Sequence, residues 1–200
     1  MAPICTAPAD VCLRRWTAAD LPALYALLAD RAVNTFLPWF PAQSMADAEA
    51  FYAQRLAGAP YAFAIFLRPD DRPIGYIKTD TGDAHDVGYA LAQAYWGRGI
   101  ASAAGRQLLD LLRCDGVPYV TATHDRRNPR SGGVMRRMGM TYRYSYTEQW
   151  QPKNIPVTFR MYQCNLDGQT DRVYRGYQER YAHFVEPESA FRQKTQEEYR

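Results

Sequence analysis

An apolar run from Val87 to Leu91 is followed by the loop Tyr95-Trp96-Gly97-Arg98-Gly99-Ile100-Ala101. Next comes a stretch whose Ile100, Ala104, Leu108, Leu111 and Leu112 share one helical face, and then a second apolar run, Tyr119 to Thr123. This order constrains topology more than any other feature of the chain. A connection this long, carrying its own helix, joins two strands as a parallel crossover of right-handed sense. Gly97 and Gly99 fall at the junction of strand and helix, where glycine lets the backbone approach a ligand closely. The first helical N–H groups there have no intrahelical partners, and the helix dipole favours negative charge, so such a junction can cradle phosphate. The same two glycines could instead provide only a tight turn and close packing.

Familiar phosphate motifs fit this loop poorly. It lacks the Gly-Lys-Ser/Thr ending of a P-loop, and Ser102 stands where the third glycine of a dinucleotide fingerprint belongs. A diphosphate binder of another kind remains.

Gly88-Tyr89-Ala90-Leu91 followed by Tyr95-Trp96-Gly97-Arg98-Gly99-Ile100-Ala101 resembles the acetyl-CoA loop of the GNAT N-acetyltransferase superfamily, most closely its RimJ/RimL-like branch. The superfamily pattern, Arg or Gln, two residues, Gly, one residue, then Gly or Ala, falls on Trp96, Gly99 and Ala101, with Trp96 departing from it in the form frequent in that branch. Asn128-Pro129-Arg130-Ser131, followed by Met135 to Met140, is similar to the family's Asn-x-x-Ser and its helix ending in Leu-Gly-Phe; here Met138-Gly139-Met140 replaces that ending. The resemblance covers roughly Val11 to Tyr162.

The resemblance implies an α/β (α+β) fold: a mixed, mostly antiparallel central sheet with a parallel pair splayed around acetyl-CoA, flanked by helices. It implies that acetyl-CoA is the co-substrate, with its diphosphate on Trp96, Gly97, Arg98, Gly99, Ile100, Ala101 and Ser102 and its pantetheine arm along the backbone of Tyr89, Ala90 and Leu91. A strand N–H there would polarise the thioester carbonyl. Asn128 matches a family position that contacts the cofactor arm, and Ser131 one that passes a proton to the departing thiolate. By residue type, both are equally turn and helix-cap residues. The acceptor side is built in the family from the segment between the first two helices, here Asn34 to Phe40, and from the last hairpin, here Tyr146 to Pro156. Phe36, Trp39, Phe40 and Trp150 would line it, or would close the core or a dimer contact instead.

Two hundred residues, 47% of them hydrophobic, suit one domain with a substantial core. A formal charge of +3 does not by itself argue for nucleic acid. Arg126, Arg127, Arg130, Arg136, Arg137 and Arg143 cluster against Asp125 and read either as a solvated basic face or as help with cofactor phosphates. Cys5, Cys12, Cys114 and Cys164 show no metal spacing, and free thiols in a reducing compartment are the expectation. The first residues lack the pattern of a secretion signal and nothing approaches a membrane span, which places the expected chain in the cytoplasm.

Along the chain, residues 1–10 read as an N-terminal extension and 11–164 as the catalytic domain. Val11 to Trp16 reads as a strand, Thr17 with Asp20 and Ser44 with Asp47 as helix starts, and Tyr61 to Leu67 with Ile74 to Thr79 as a hairpin. Val134, Met135 and Met138 suggest a last core helix. Thr141 to Gln149 and Val157 to Gln163 suggest a final hairpin, with Tyr142, Tyr144 and Tyr146 alternating onto one face. Residues 165–187 form a C-terminal extension whose Tyr174, Tyr177, Tyr181 and Phe184 recur at helical spacing, predicting a helix docked on the domain or on a second subunit of a homodimer. Residues 188–200 turn polar and read as a frayed tail.

Acetyl transfer to an amine needs a neutral nitrogen. At pH 7 an α-amino group of pKa near 8 is neutral in about one molecule in ten, whereas a lysine-like amine near 10.4 costs roughly 4.6 kcal/mol to deprotonate. His124, at the end of the strand beside the cofactor, is the leading base by sequence, or simply a strand-end hydrogen bonder; His85, Asp86 and Glu148 follow it. Asp80, Asp83 and Asp86 lack the spacing of a calcium loop, and no metal is expected. The reading that results is an N-acetyltransferase acting on a primary amine, with a protein N-terminal α-amine as the favoured acceptor and a polyamine or amino-bearing antibiotic as the alternative. A non-catalytic acyl-CoA-binding module and an arginine-based nucleic-acid binder are the readings from other classes.

Overall fold

In the computed structural model, residues 4–6 and 11–191 are described, with side chains from residue 11 onward. The first apolar runs form one antiparallel sheet in the order β1 (Ile4–Thr6), β2 (Val11–Arg15), β3 (Ala62–Leu67), β4 (Gly75–Thr79), β5 (Val87–Leu91). β3 is apolar at every position because both its faces are covered. Phe63 and Ile65 enter one core; Ala62 and Ala64 enter the other. That second core is closed by α1 (Leu21–Ala29), α2 (Arg31–Asn34) and α3 (Met45–Arg55). Ser44 accepts from the Asp47 backbone N–H while Asp47 reaches back to Ser44, so α3 starts where the sequence marks it.

The first core lies under α4 (Ile100–Cys114) and α5 (Pro129–Arg137). Ile100, Ala104, Leu108 and Leu112 are buried, whereas Leu111 is only half-buried. A second antiparallel sheet is ordered β6 (Tyr119–Asp125), β8 (Ile155–Asn165), β7 (Thr141–Trp150), β9 (Ala182–Phe184). The two sheets meet at one parallel bridge, Asp86 to Thr121, with the Thr121 N–H donating to the Ala84 carbonyl at 3.2 Å. β5 and β6 share no ladder beyond that bridge among the described residues, so the expected parallel pair is joined at its start and open beyond it.

Three expectations need correction. The tyrosines of β7 do not share a face: a bulge between Tyr142 and Tyr144 places Tyr142 opposite Tyr162 in the first core, while Tyr144 and Tyr146 face a third cluster with Phe159 and Met161. The C-terminal extension is not one helix. Its helical turn, α6 (Gly176–Arg180), is followed by β9, because pairing with β7 satisfies the backbone that a longer helix would otherwise have satisfied internally. The cysteines are not all free thiols: Cys12 is disulfide-bonded, and Cys114 and Cys164 are free. Of the expected polar tail, Glu188–Phe191 form a 3-10 turn and the remainder lies outside the described residues.

Candidate active site

After β5 the chain makes a 3-10 turn, Gln93–Tyr95, and reaches Trp96. The Trp96 indole N–H donates to the Leu91 carbonyl at 2.6 Å, and its ring packs against both of the first two cores, so this residue anchors the loop. Gly97 and Gly99 then adopt φ of 74° and 75°, the left-handed region that side chains strain to enter. Gly99 is the N-cap of α4, and a Cβ added at either glycine would meet no atom within 4 Å. The glycines therefore serve backbone conformation, and the space over the loop is open. Unblocked amides at the start of a fifteen-residue helix fit a diphosphate.

Ile100 and Ser102 are buried, and Ala101 is half-buried on the same turn. Exposed Arg98 holds its guanidinium 5.5 Å from the Tyr95 ring centre. The structure sorts the arginine cluster. Arg127 is tied to Asp125 at 2.8 Å, Arg126 to Glu186 at 3.4 Å, Arg136 to the Tyr162 hydroxyl and Arg143 to the Thr170 carbonyl. Arg137 alone of these reaches α4, where its Nε donates to Ser102 Oγ at 3.4 Å and places positive charge at the helix start.

Across the opening, Tyr89 of β5 meets the first turn of α5. Its hydroxyl lies 2.6 Å from Ser131 Oγ and donates to the Ser131 carbonyl at 3.1 Å. Burial pushes the Tyr89 phenol well above its usual range, so it stays a neutral hydrogen bonder. Asn128 caps α5, with its side-chain oxygen accepting from the Ser131 N–H. Its side chain thus acts within the helix start, as residue type alone allows.

His124 is 4% exposed, and its Nδ1–H donates to the Asp125 carbonyl at 2.8 Å. Among the described residues its Nε2 has no hydrogen-bond partner, and it faces Gly132, where an added Cβ would come within 2.5 Å of that nitrogen. Gly132 is what lets α5 lie on the imidazole. Burial pushes the His124 pKa down to about 4, assisted by Arg160 and Arg136. This geometry buries His124 under α5, a setting that holds the ring neutral. Because folding favours the neutral ring, its stabilising effect is complete above the unfolded pKa and fades as pH falls from about 6.5 toward 4. Denaturant unfolding at pH 7 and pH 4.5 is expected to show the parent chain losing about 2.5 kcal/mol more than a His124→Gln variant. Equal losses would mean that the ring is solvated.

On the opposite face of the splayed strands stands Asp86, at the bridge itself. His85 before it takes φ of 44°, and Asp80 accepts from the Gly82 and Asp86 N–H groups, so a tight turn delivers Asp86 to the sheet. Thr121 Oγ1 donates to the Ala84 carbonyl at 2.9 Å and lies 3.4 Å from the Asp86 carboxylate. Asp86 is partly open to solvent, yet its carboxyl is enclosed. Burial, then the charge of Asp80, pushes its pKa up to about 7 against the pull of Lys78 and Thr121. Glu148 of β7 adds to the same negative field, and burial raises its own pKa. A cavity of about 280 Å³ lined by Trp16, Tyr52 and Leu56 shares no residue with these groups.

The family model described as Acetyltransferase (GNAT) domain matches residues 10–141. The chain belongs to the GNAT acetyltransferase family. Solved GNAT structures share the fold. Spermidine N-acetyltransferase from Vibrio cholerae, in complex with CoA and spermine, superposes with a TM-score of 0.68 at 15% identity over 78% of this chain and 96% of that one. RimL, the ribosomal L7/L12 alpha-N-protein acetyltransferase in complex with CoA, gives 0.66 at 18% identity over 84% and 100%. AAC(6')-Ib in complex with ribostamycin and CoA gives 0.62 at 18% identity over 82% and 99%. As an acetyltransferase of this family, the protein uses acetyl-CoA as its co-substrate.

In this GNAT chain the two segments expected around the acceptor are brought together by Lys153, whose ammonium donates to the Asn34 carbonyl at 2.9 Å and the Thr35 carbonyl at 3.4 Å. The aromatic candidates separate. Trp39 packs edge-on against Phe51 with Arg55 over its ring, so it belongs to the α3 core. Trp150 abuts Phe159 beneath Lys153, Phe36 is half-buried and Phe40 is 62% exposed. Sequence reasoning missed Thr121, Tyr177 and Tyr181 beside the carboxylates and ranked Asp86 below His124. Asp86 immediately before the Val87 strand was the available signal; its enclosure depends on a strand thirty-five residues away. No helix among the described residues is long and apolar enough to cross a membrane.

Proposed function

We propose that this protein transfers the acetyl group of acetyl-CoA to a primary amine, with Asp86 taking the proton of the attacking nitrogen. The observation that carries the reading is the enclosed carboxyl of Asp86 at the parallel bridge between the sheets, where burial pushes its pKa up to about 7. From Leu91 back to Asp86 the strand runs about 17 Å, so an arm held at the glycine loop and laid along β5 ends beside this carboxylate. A carboxylate of that basicity accepts a proton near neutral pH. Asp86 takes one proton from the ammonium, the freed nitrogen bonds to the acetyl carbon, the carbon–sulfur bond breaks, and the proton the nitrogen then sheds replaces the one given to the departing thiolate. The Ser131–Tyr89 hydroxyl pair, which links β5 to α5 across the opening, supports Ser131 as the donor of the thiolate's proton.

Proton transfer from an α-amine of pKa near 8 to Asp86 is uphill by only about 1.4 kcal/mol, against roughly 4.6 for a lysine-like amine. This favours a protein N-terminal α-amine as acceptor and a RimJ/RimL-like assignment. Glu148 and Asp80 around Asp86 favour a second reading, a small polycation of the spermine or ribostamycin kind that two of the structural neighbours bind. Asp86 supports turnover over a binding-only module. CoA release should be measured with spermine, ribostamycin and a short peptide bearing a free α-amine, with mass detection of the product. The peptide is expected to be acetylated fastest; CoA binding with no release for any amine would overturn the assignment.

A further inference from the structure

Residues 174–186 lie outside the span matched by the family, yet their tyrosines pack against Tyr144 and Tyr146 of β7, the strand that carries Glu148. The segment is fastened at three places. At its start Gln163 Oε1 accepts from the Tyr174 N–H at 2.7 Å, and the Tyr144 hydroxyl donates to the Tyr174 carbonyl at 2.7 Å. In the middle Tyr146 is stacked on Tyr177, with centroids 4.8 Å apart and 8° between planes, and on Tyr181 at 5.3 Å and 17°. At its end buried Glu186 accepts from Arg160 at 2.6 and 2.9 Å and from Ser145 at 2.7 Å. A segment held this way is part of the wall.

The stacking fixes both rings against Tyr146 of β7, the strand that also carries Glu148. Tyr177 lies near Thr121, the residue whose hydroxyl also lies 3.4 Å from Asp86, and Tyr181 lies near Glu148. We infer that the C-terminal segment completes the acceptor site, with Tyr177 and Tyr181 as positioning residues that act through Thr121 on Asp86 and directly on Glu148. The inference rests on the reading of Asp86 as the base. Thr121 offers one proton, which goes to the Ala84 carbonyl or to Asp86, and the Tyr177 hydroxyl can donate to the oxygen left behind. Donation from Tyr177 makes the Thr121 hydroxyl a stronger donor to the carboxylate and so favours its ionised form.

Lys78 of β4, Asp80 of the turn, Tyr146 and Glu148 of β7 and Tyr177 of α6 are the titratable groups around Asp86, and Tyr89 of β5 feels its charge from the other face of the strand. None but Tyr177 changes in Tyr177→Phe, which keeps the ring stack. The test is a carboxyl ¹³C NMR titration of the full chain, with the Asp86 signal assigned by its loss in Asp86→Asn. The Asp86 midpoint is expected to rise by about half a pH unit in Tyr177→Phe, and the acidic limb of kcat/KM to move with it. Tyr181→Phe is expected to move the Glu148 midpoint and leave that of Asp86 in place. An unchanged Asp86 midpoint in a folded Tyr177→Phe variant, or a loss of activity equal at every pH, would overturn the inference. If Asp86→Asn kept the parental acidic limb while the NMR shift appeared, the base reading would fail and the coupling through Thr121 would stand.

Discussion

Replacing Asp86 with asparagine is expected to lower kcat/KM for amine acetylation by about 10²–10⁴-fold, the range of a lost general base, while CoA binding is retained. Asparagine keeps the shape of the side chain and removes its ability to take a proton. The loss should be greatest near and above pH 7, where the parent carboxyl is ionised, and the parent's acidic limb should vanish from the profile. Stability should move the other way. Folding holds the Asp86 carboxyl protonated, so its favourable effect is present below the unfolded pKa near 4 and is lost as pH rises through about 7. The melting temperature of the parent should therefore fall, relative to that of Asp86→Asn, between pH 4 and pH 8. A variant that kept its activity and the parental pH profile would remove Asp86 from the chemistry.

Replacing Gly99 with valine is expected to weaken CoA binding by about 10–100-fold, or roughly 1.4–2.7 kcal/mol, measured by calorimetry. Gly99 has φ of 75°, a conformation that costs a β-branched residue about 1–3 kcal/mol. A Cβ there meets no atom within 4 Å, so the substitution does not obstruct packing. The loop escapes its strain by leaving the left-handed conformation, which turns the amides of the α4 start away from the ligand. At about 2–4 °C per kcal/mol for a chain of this size, the melting temperature should drop by only several degrees. Parental affinity in the folded variant would mean that the diphosphate binds elsewhere.

These two residues were unequally visible in the chain. Gly99 could be read because the apolar strand, the glycines and the amphipathic helix are neighbours in sequence, and helix starts report themselves within a few residues. Asp86 looked like one of three acids in a turn. Its raised pKa comes first from burial that no local pattern encodes and then from the charge of Asp80, with Glu148 of another strand adding to it against the pull of Lys78 and Thr121. The burial of His124 was hidden for the same reason: an imidazole at a strand end reads as open to solvent until α5 is found lying on it through Gly132. One inserted residue, Arg143, turned Tyr142 to the other face of β7, since pleat alternation predicts facing only when pairing is unbroken. The arginines, equivalent as a run, were separated by the partners that the fold supplied.

Sequence by itself determined the strand and helix order, the parallel crossover and the phosphate-ready loop, because hydrophobic period, capping residues and glycine placement act over a few neighbouring residues. Only the tertiary structure decided which carboxylate is enclosed, which arginine reaches α4, and that the tyrosines after residue 165 pack on Tyr144 and Tyr146 of β7. Those outcomes depend on desolvation and charge between groups far apart in the chain, quantities that exist only once the two sheets have met.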